Sequence, residues 1–273
     1  MQKINKILYK LRVRRNKIAF LTLTTLLVIF LLSVFVESSS ELNINVENFT
    51  VYTEDYIRLE GSIYYPNNLN SESKYPTLIY CHSLTGDRHE NKFLRYNLLE
   101  QGFIVVTFDL RGHGSSLGGL EVDRSYTLEG YTNTQKLGLD IDAVLNFILS
   151  KEFVDNESIG IYGESLGGGA LSYYSYFDSL KEYPLIKASV AISFAGEYHR
   201  YLGMNETNPR NFLEIIGSND EFFPINQINL SLYLLTGNKN AKYGSDYREA
   251  THPTAREVYI VPGADHMDIL TLL

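Results

Sequence analysis

The chain has 273 residues, with 24 Lys and Arg against 32 Asp and Glu, a formal net charge of -8 and a single cysteine. Seven of the basic residues and no acid lie within residues 1–36, leaving 17 basic and 32 acidic side chains in the rest. That acidic excess excludes a nucleic-acid partner, whose phosphates need a basic surface, and the lone Cys81 excludes an internal disulfide, so the fold must rest on its apolar core.

Residues 1–17 form a basic tail containing Lys3, Lys6, Lys10, Arg12, Arg14, Arg15 and Lys17. Residues 18–36 carry no charge, and only Thr22, Thr24, Thr25 and Ser33 are polar. As a helix this run would span roughly 28 Å, enough for a bilayer core. The basic residues precede it and Glu37 follows, so the positive-inside rule puts the N-terminus in the cytoplasm and the rest outside. The expectation is a single-pass membrane anchor. A cleaved signal peptide competes with it, although the apolar run is long for one and Ser38 to Ser40 offer only a mediocre cleavage site. Residues 37–48 read as a spacer and 49–273 as the folded domain.

Within that domain, residues 49–53 and 56–65 read as strands, with alternation clearest in Ile57, Leu59, Gly61, Ile63 and Tyr65. A tight turn near Glu54 and Asp55 would join them as an antiparallel edge. Residues 66–74 are a loop, 76–81 a short buried strand, 91–100 a helix ended by Gly102, and 103–108 a second buried strand closing on Asp109. A glycine-rich loop over 110–132 precedes a helix over 134–150, where Leu137, Ile141, Val144, Leu145 and Ile148 share one face. A strand at 158–162, a helix at 166–179, apolar runs at 188–194 and 212–216, a short helix at 224–235 and a strand at 257–261 complete the order. Strands apolar on both faces, alternating with helices, predict a three-layer α/β sandwich with a mostly parallel sheet.

The chain is organised around Gly163-Glu164-Ser165-Leu166-Gly167. At a sharp strand-to-helix turn the backbone doubles back while the serine stays exposed, and glycines two residues either side remove the side chains that would collide. The serine then sits at the N-terminal end of a helix, where free N–H groups favour developing negative charge. Taken alone, the pentapeptide is equally a small-residue turn.

A serine hydroxyl needs a base to take its proton, and the base needs an anion to orient it. Six histidines are present: His82, His89, His113, His199, His252 and His266. Sites on parallel sheets lie beyond the carboxyl ends of the strands. His266 follows the last strand and is the candidate base. Asp220 follows the 212–216 strand and is the candidate acid. Glu221 is its rival, while Asp265 lies too near His266 along the backbone. The oxyanion formed on attack needs fixed donors; the backbone N–H of Leu166 is one candidate and that of Leu84, after the 76–81 strand, the other. His82, Asp109 and Arg111 read as scaffold for these loops. His113 has no spaced metal-ligand partners, and no P-loop lysine follows the glycines at 112, 114, 118 and 119, so neither a metal nor another cofactor is expected.

Taken in order, the His82 to Gly86 loop, Asp109-x-Arg111-Gly112-His113-Gly114-x-Ser116, the Gly163 to Gly167 elbow, Gly217-x-x-Asp220 and the strand-end His266 resemble the α/β-hydrolase family, nearest its serine-aminopeptidase and dienelactone-hydrolase-like branches. The resemblance implies Ser165 as nucleophile, His266 as base and Asp220 as acid, cleaving a small-molecule carboxylic ester through an acyl-enzyme intermediate. A peptidase of the same fold and an inactive binding protein are the alternatives. Two departures stand out. Ser83 occupies the position where the family's oxyanion loop carries glycine, and seven residues after His266 are too few for the family's closing helix, so a C-terminally truncated domain is expected. About 17 residues between the 188–194 and 212–216 runs are too short for a large helical cap, and residues 236–256, with Tyr243, Gly244, Tyr247 and His252, read equally as a pocket lining or as a peripheral insertion.

Overall fold

The computed structural model describes residues 43–272, apart from 68, 71, 119–127, 195–210 and 237–255. The basic tail, the expected anchor at 18–36, the connections expected to lack a large cap or read as a pocket lining or insertion, His199 and His252 all lie outside the described residues. Among the described residues, no helix is long and apolar enough to cross a membrane.

The elements follow as β1 (Ile44–Tyr52), β2 (Arg58–Pro66), β3 (Tyr75–Cys81), α1 (Lys92–Glu100), β4 (Ile104–Phe108), α2 (Leu128–Leu149), β5 (Val154–Glu164), α3 (Leu166–Ser179), β6 (Ile186–Ile192), β7 (Phe212–Gly217), α4 (Ile225–Thr236), β8 (Arg256–Val261) and α5 (His266–Leu272). They build one eight-stranded sheet in the order β1-β2-β4-β3-β5-β6-β7-β8. β2 is antiparallel to both β1 and β4, and every other pair is parallel. The expected antiparallel edge is therefore present. The swap of β3 and β4 brings β3 beside β5, Cys81 opposite Gly163, so the loop after β3 emerges next to the serine turn.

The two faces of the sheet differ. One buries Ile63, Ile79, Val106, Phe108, Ile159 and Ile161 against Leu137, Ile141, Val144 and Leu145 of α2 and Ala170 and Leu171 of α3. Truncating one such Leu or Ile to Ala removes about 2–5 kcal/mol. The alternate residues of the same strands are more polar: Ser62, Thr107, Tyr80, Tyr162 and Glu164 are all buried, and the Arg95 guanidinium of α1 lies 4.2 Å from the Tyr64 ring centroid. Farther along that face, Ile192, Ala264 and Ile269 form a smaller apolar cluster.

Three expectations need correcting. β1 begins at Ile44, inside the expected 37–48 spacer; it is an edge strand whose partly exposed residues satisfy their backbone through β2, so its apolar signal is weak. α2 begins at Leu128, inside the expected 110–132 loop, where Gly130 and Thr132 are poor helix formers. Residues 266–272, expected to be too few for a closing helix, are themselves helical, and Ile269 is buried against the sheet. Asp265 and Asp268 start that helix by reciprocal bonds: Asp268 N–H donates to Asp265 Oδ1 at 2.7 Å and Asp265 N–H to Asp268 Oδ2 at 3.0 Å.

Candidate active site

β5 runs straight into α3, and Ser165 is the single residue between them. Its φ of 48° lies in the left-handed region, which a non-glycine residue adopts at about 1–3 kcal/mol of strain. The strain is held in place by neighbours: Ser165 N–H donates to Ile192 O at 2.8 Å and Gly169 N–H to Ser165 O at 3.0 Å. The flanking glycines are steric necessities. A Cβ on Gly163 would lie 2.7 Å from Cys81 O, and one on Gly167 only 2.1 Å from that same oxygen. The turn is thus packed against the end of β3, and the Leu166 backbone opens α3.

The ends of β5, β7 and β8 bring three distant side chains together. His266 Nε2 lies 3.1 Å from Ser165 Oγ, and His266 Nδ1 lies 2.8 Å from Asp220 Oδ2. The other Asp220 oxygen accepts from Phe222 N–H at 2.9 Å and Phe223 N–H at 3.0 Å. One carboxylate therefore serves both the turn and the imidazole, and accepting from two backbone donors leaves it no freedom to rotate. Asp220 and His266 are buried, and the Phe222 ring lies 4.6 Å from the imidazole. Glu221, the rival acid, is exposed, and Asp265 is occupied by its helix cap. Burial pushes the Cys81 thiol up, which keeps the neighbouring sulfur protonated.

The scaffold residues converge on the other side of the turn. His82 is fully buried; its Nε2 accepts from Leu110 N–H at 3.0 Å, so its proton sits on Nδ1, 2.7 Å from Ser83 O. Burial lowers its pKa to about 4, leaving the ring neutral. Asp109 accepts from Arg88 N–H at 2.7 Å, from the Arg88 guanidinium, and from Ser115 N–H at 2.8 Å. Arg111 reaches Asp55 in the β1–β2 turn at 2.7 and 3.0 Å and Asp140 in α2 at 2.8 Å. Burial pushes the Asp140 carboxyl up to about 6 while the Arg111 bonds oppose the rise, so it is ionised at neutral pH. His113 does not stand alone either: its Nε2 lies 2.9 Å from Leu84 O.

Several of these partners escaped the sequence reading. Asp140 had a signal, since an acid between Leu137 and Ile141 sits on the apolar face of α2. Asp55, Arg88 and Asn91 had none. Glu164, next to Ser165, accepts from Tyr80 Oη at 3.2 Å and from the Asn91 amide, and burial raises its pKa to about 7. Among the described residues, no group of three His, Cys, Asp or Glu is arranged to hold a metal ion.

Residues 76–179 match the family described as the alpha/beta hydrolase fold. Among solved structures, the Pyrococcus furiosus esterase Pf2001 superposes with a TM-score of 0.58 at 19% identity, covering 87% of this chain and 90% of that one. The chain has the α/β-hydrolase fold. The sequence is also 31% identical over 151 residues to an uncharacterized 31.7 kDa protein in the traX-finO intergenic region of Escherichia coli, covering 52% of this chain and 46% of that protein. It is 25% identical over 198 residues to human dipeptidyl peptidase 8, covering 65% of this chain and 21% of that protein. The match thus spans less than half the length of either curated relative. The α/β-hydrolase fold explains why the landmarks recur in this order: all of them lie at or just beyond the carboxyl ends of β3, β4, β5, β7 and β8.

Proposed function

We propose that the protein is a serine hydrolase of carboxylic esters. The observation that carries this reading is the continuous Ser165–His266–Asp220 hydrogen-bonded chain. His266 Nε2 takes the Ser165 proton as Oγ attacks the ester carbonyl, and Asp220 stabilises the imidazolium through Nδ1–H. The tetrahedral oxyanion receives hydrogen bonds from the Leu166 and Leu84 N–H groups. Collapse of the adduct expels the alcohol, which takes the proton from His266, and leaves Ser165 acylated. Water, deprotonated by His266, then attacks the acyl-enzyme and releases the acid and the free serine.

A peptidase is the second reading, favoured by the likeness to dipeptidyl peptidase 8. Amide and ester cleavage use the same nucleophile, base and oxyanion donors, and differ in pocket shape and leaving-group protonation. In the same proposal, residues 18–36 anchor the chain in a membrane with the hydrolase domain outside the cytoplasm. Full-length protein found only as a shortened soluble product would overturn that part.

The test is labelling by a fluorophosphonate probe. Wild type labels and Ser165→Ala does not; labelling that persists in the variant removes Ser165 as nucleophile, and a folded wild type that never labels favours a non-catalytic binding role. Panels of short-acyl esters and aminoacyl amides then separate the two hydrolytic readings.

A further inference from the structure

We infer that His113, together with His82, is a positioning residue that aims the Leu84 N–H at the oxyanion; this rests on the hydrolase reading above. The two imidazoles hold the carbonyls on either side of Leu84. His82 Nδ1–H donates to Ser83 O at 2.7 Å, and His113 Nε2 reaches Leu84 O at 2.9 Å. In a trans peptide the carbonyl and the N–H point in opposite directions. Tying Ser83 O on one side therefore directs the N–H of the same peptide, that of Leu84, to the other. Tying Leu84 O fixes the next peptide plane, so both backbone torsions at Leu84 are constrained. Among the described residues, nothing accepts a hydrogen bond from the Leu84 N–H, which leaves it available to a ligand.

Both rings are themselves anchored in the loop after β4. His82 Nε2 accepts from Leu110 N–H at 3.0 Å, His113 Nδ1 lies 3.1 Å from Arg111 O, and the two rings meet edge to face at 4.9 Å. Both ring nitrogens of His113 face carbonyl oxygens, and in the shorter contact Nε2–H donates to Leu84 O. The Glu90 carboxylate fills the space beside Gly86, where any Cβ would collide with it. The loop after β4 acts through these contacts as a clamp on the loop after β3.

The experiment compares wild type, His113→Leu and His113→Gln in the full-length protein, with thermal melting to confirm folding. The readouts are kcat and KM on a soluble short-acyl ester and the affinity of a trifluoromethyl ketone, which forms a hemiketal oxyanion on the serine. Loss of a preorganised oxyanion donor lowers kcat by about 10²–10³. Misaiming it by removing His113 is expected to lower kcat about 10- to 100-fold, with KM within about twofold and ketone affinity falling in parallel. His113→Gln, whose amide nitrogen takes the place of Nε2, recovers most of the loss. If His113→Leu does not fold, His113→Asn carries the same comparison, because its shorter amide falls short of Leu84 O. A folded variant with wild-type kcat, or one that loses kcat while ketone affinity is unchanged, overturns the inference alone. A wild type that neither turns over esters nor labels overturns the hydrolase reading and the inference together.

Discussion

The site has two halves built on different physical principles. On one side, the ends of β5, β7 and β8 present Ser165, Asp220 and His266, whose side chains bond to one another. On the other, the loops after β3 and β4 present His82, Asp109, Arg111 and His113, whose side chains mainly bond to backbone or form ion pairs with distant elements. Under the proposed hydrolase reading, the first half serves proton movement, and each member is exchangeable only for a group with the same acid–base chemistry. The second half is organised for rigidity. Its residues keep peptide groups in place, so their loss is read first in stability or in the orientation of a backbone donor.

That contrast is open to direct attack, beginning where the effect should be greatest. Ser165→Ala should lower kcat by about 10⁵–10⁶. The same change should shift stability by no more than about 1 kcal/mol, since alanine removes only the part-buried bond to His266 and the strained turn is held by backbone contacts; turnover and chemical melts on the same preparation check this. Asp220→Asn should lower kcat by about 10⁴, because an amide no longer fixes the imidazole tautomer. Glu221→Gln, at an exposed position, should stay within about 0.5 kcal/mol in both activation and stability; the reverse ranking would reassign the acid.

On the scaffold side, Asp140→Ala strips Arg111 of a buried partner and should destabilise the fold by about 3–5 kcal/mol in a denaturant melt. A variant with wild-type stability but abolished turnover would erase the division between the halves. A further comparison sharpens the boundary at Glu164, which directly precedes Ser165 in the chain but bonds to Tyr80 and Asn91. Its folded pKa of about 7 stands above the ordinary 4.5, so its stabilising contribution is complete below pH 4.5 and lost as pH rises through 7. Glu164→Gln should remove a fall of about 3 kcal/mol, leaving the variant more stable than wild type above pH 7. Parallel stability curves across that window would contradict this.

The first half of the site was legible in the sequence because its signals are local. A glycine-framed serine after an apolar run, and a carboxylate and an imidazole each just past a strand, need only strand ends to be located. The second half was legible in part. Asp109 and Arg111 stand in a recognisable loop, but their partners Arg88, Asp55 and Asp140 come from separate elements, with separations of 21, 56 and 29 residues. The role of His113 is not visible in the sequence because its partners are carbonyl oxygens, which every residue carries and no sequence distinguishes.

Sequence alone therefore determined the alternating architecture, the strand-to-helix serine turn and the order of the three candidate reactive groups, since periodicity and backbone sterics act within a few residues. Tertiary structure decided which acid meets the imidazole, that residues 266–272 close as a helix, and which carbonyls the two loop histidines hold. Those outcomes depend on the direction and distance of groups brought together across the sheet, and hydrogen bonds discriminate over tenths of an ångström that only the folded chain fixes.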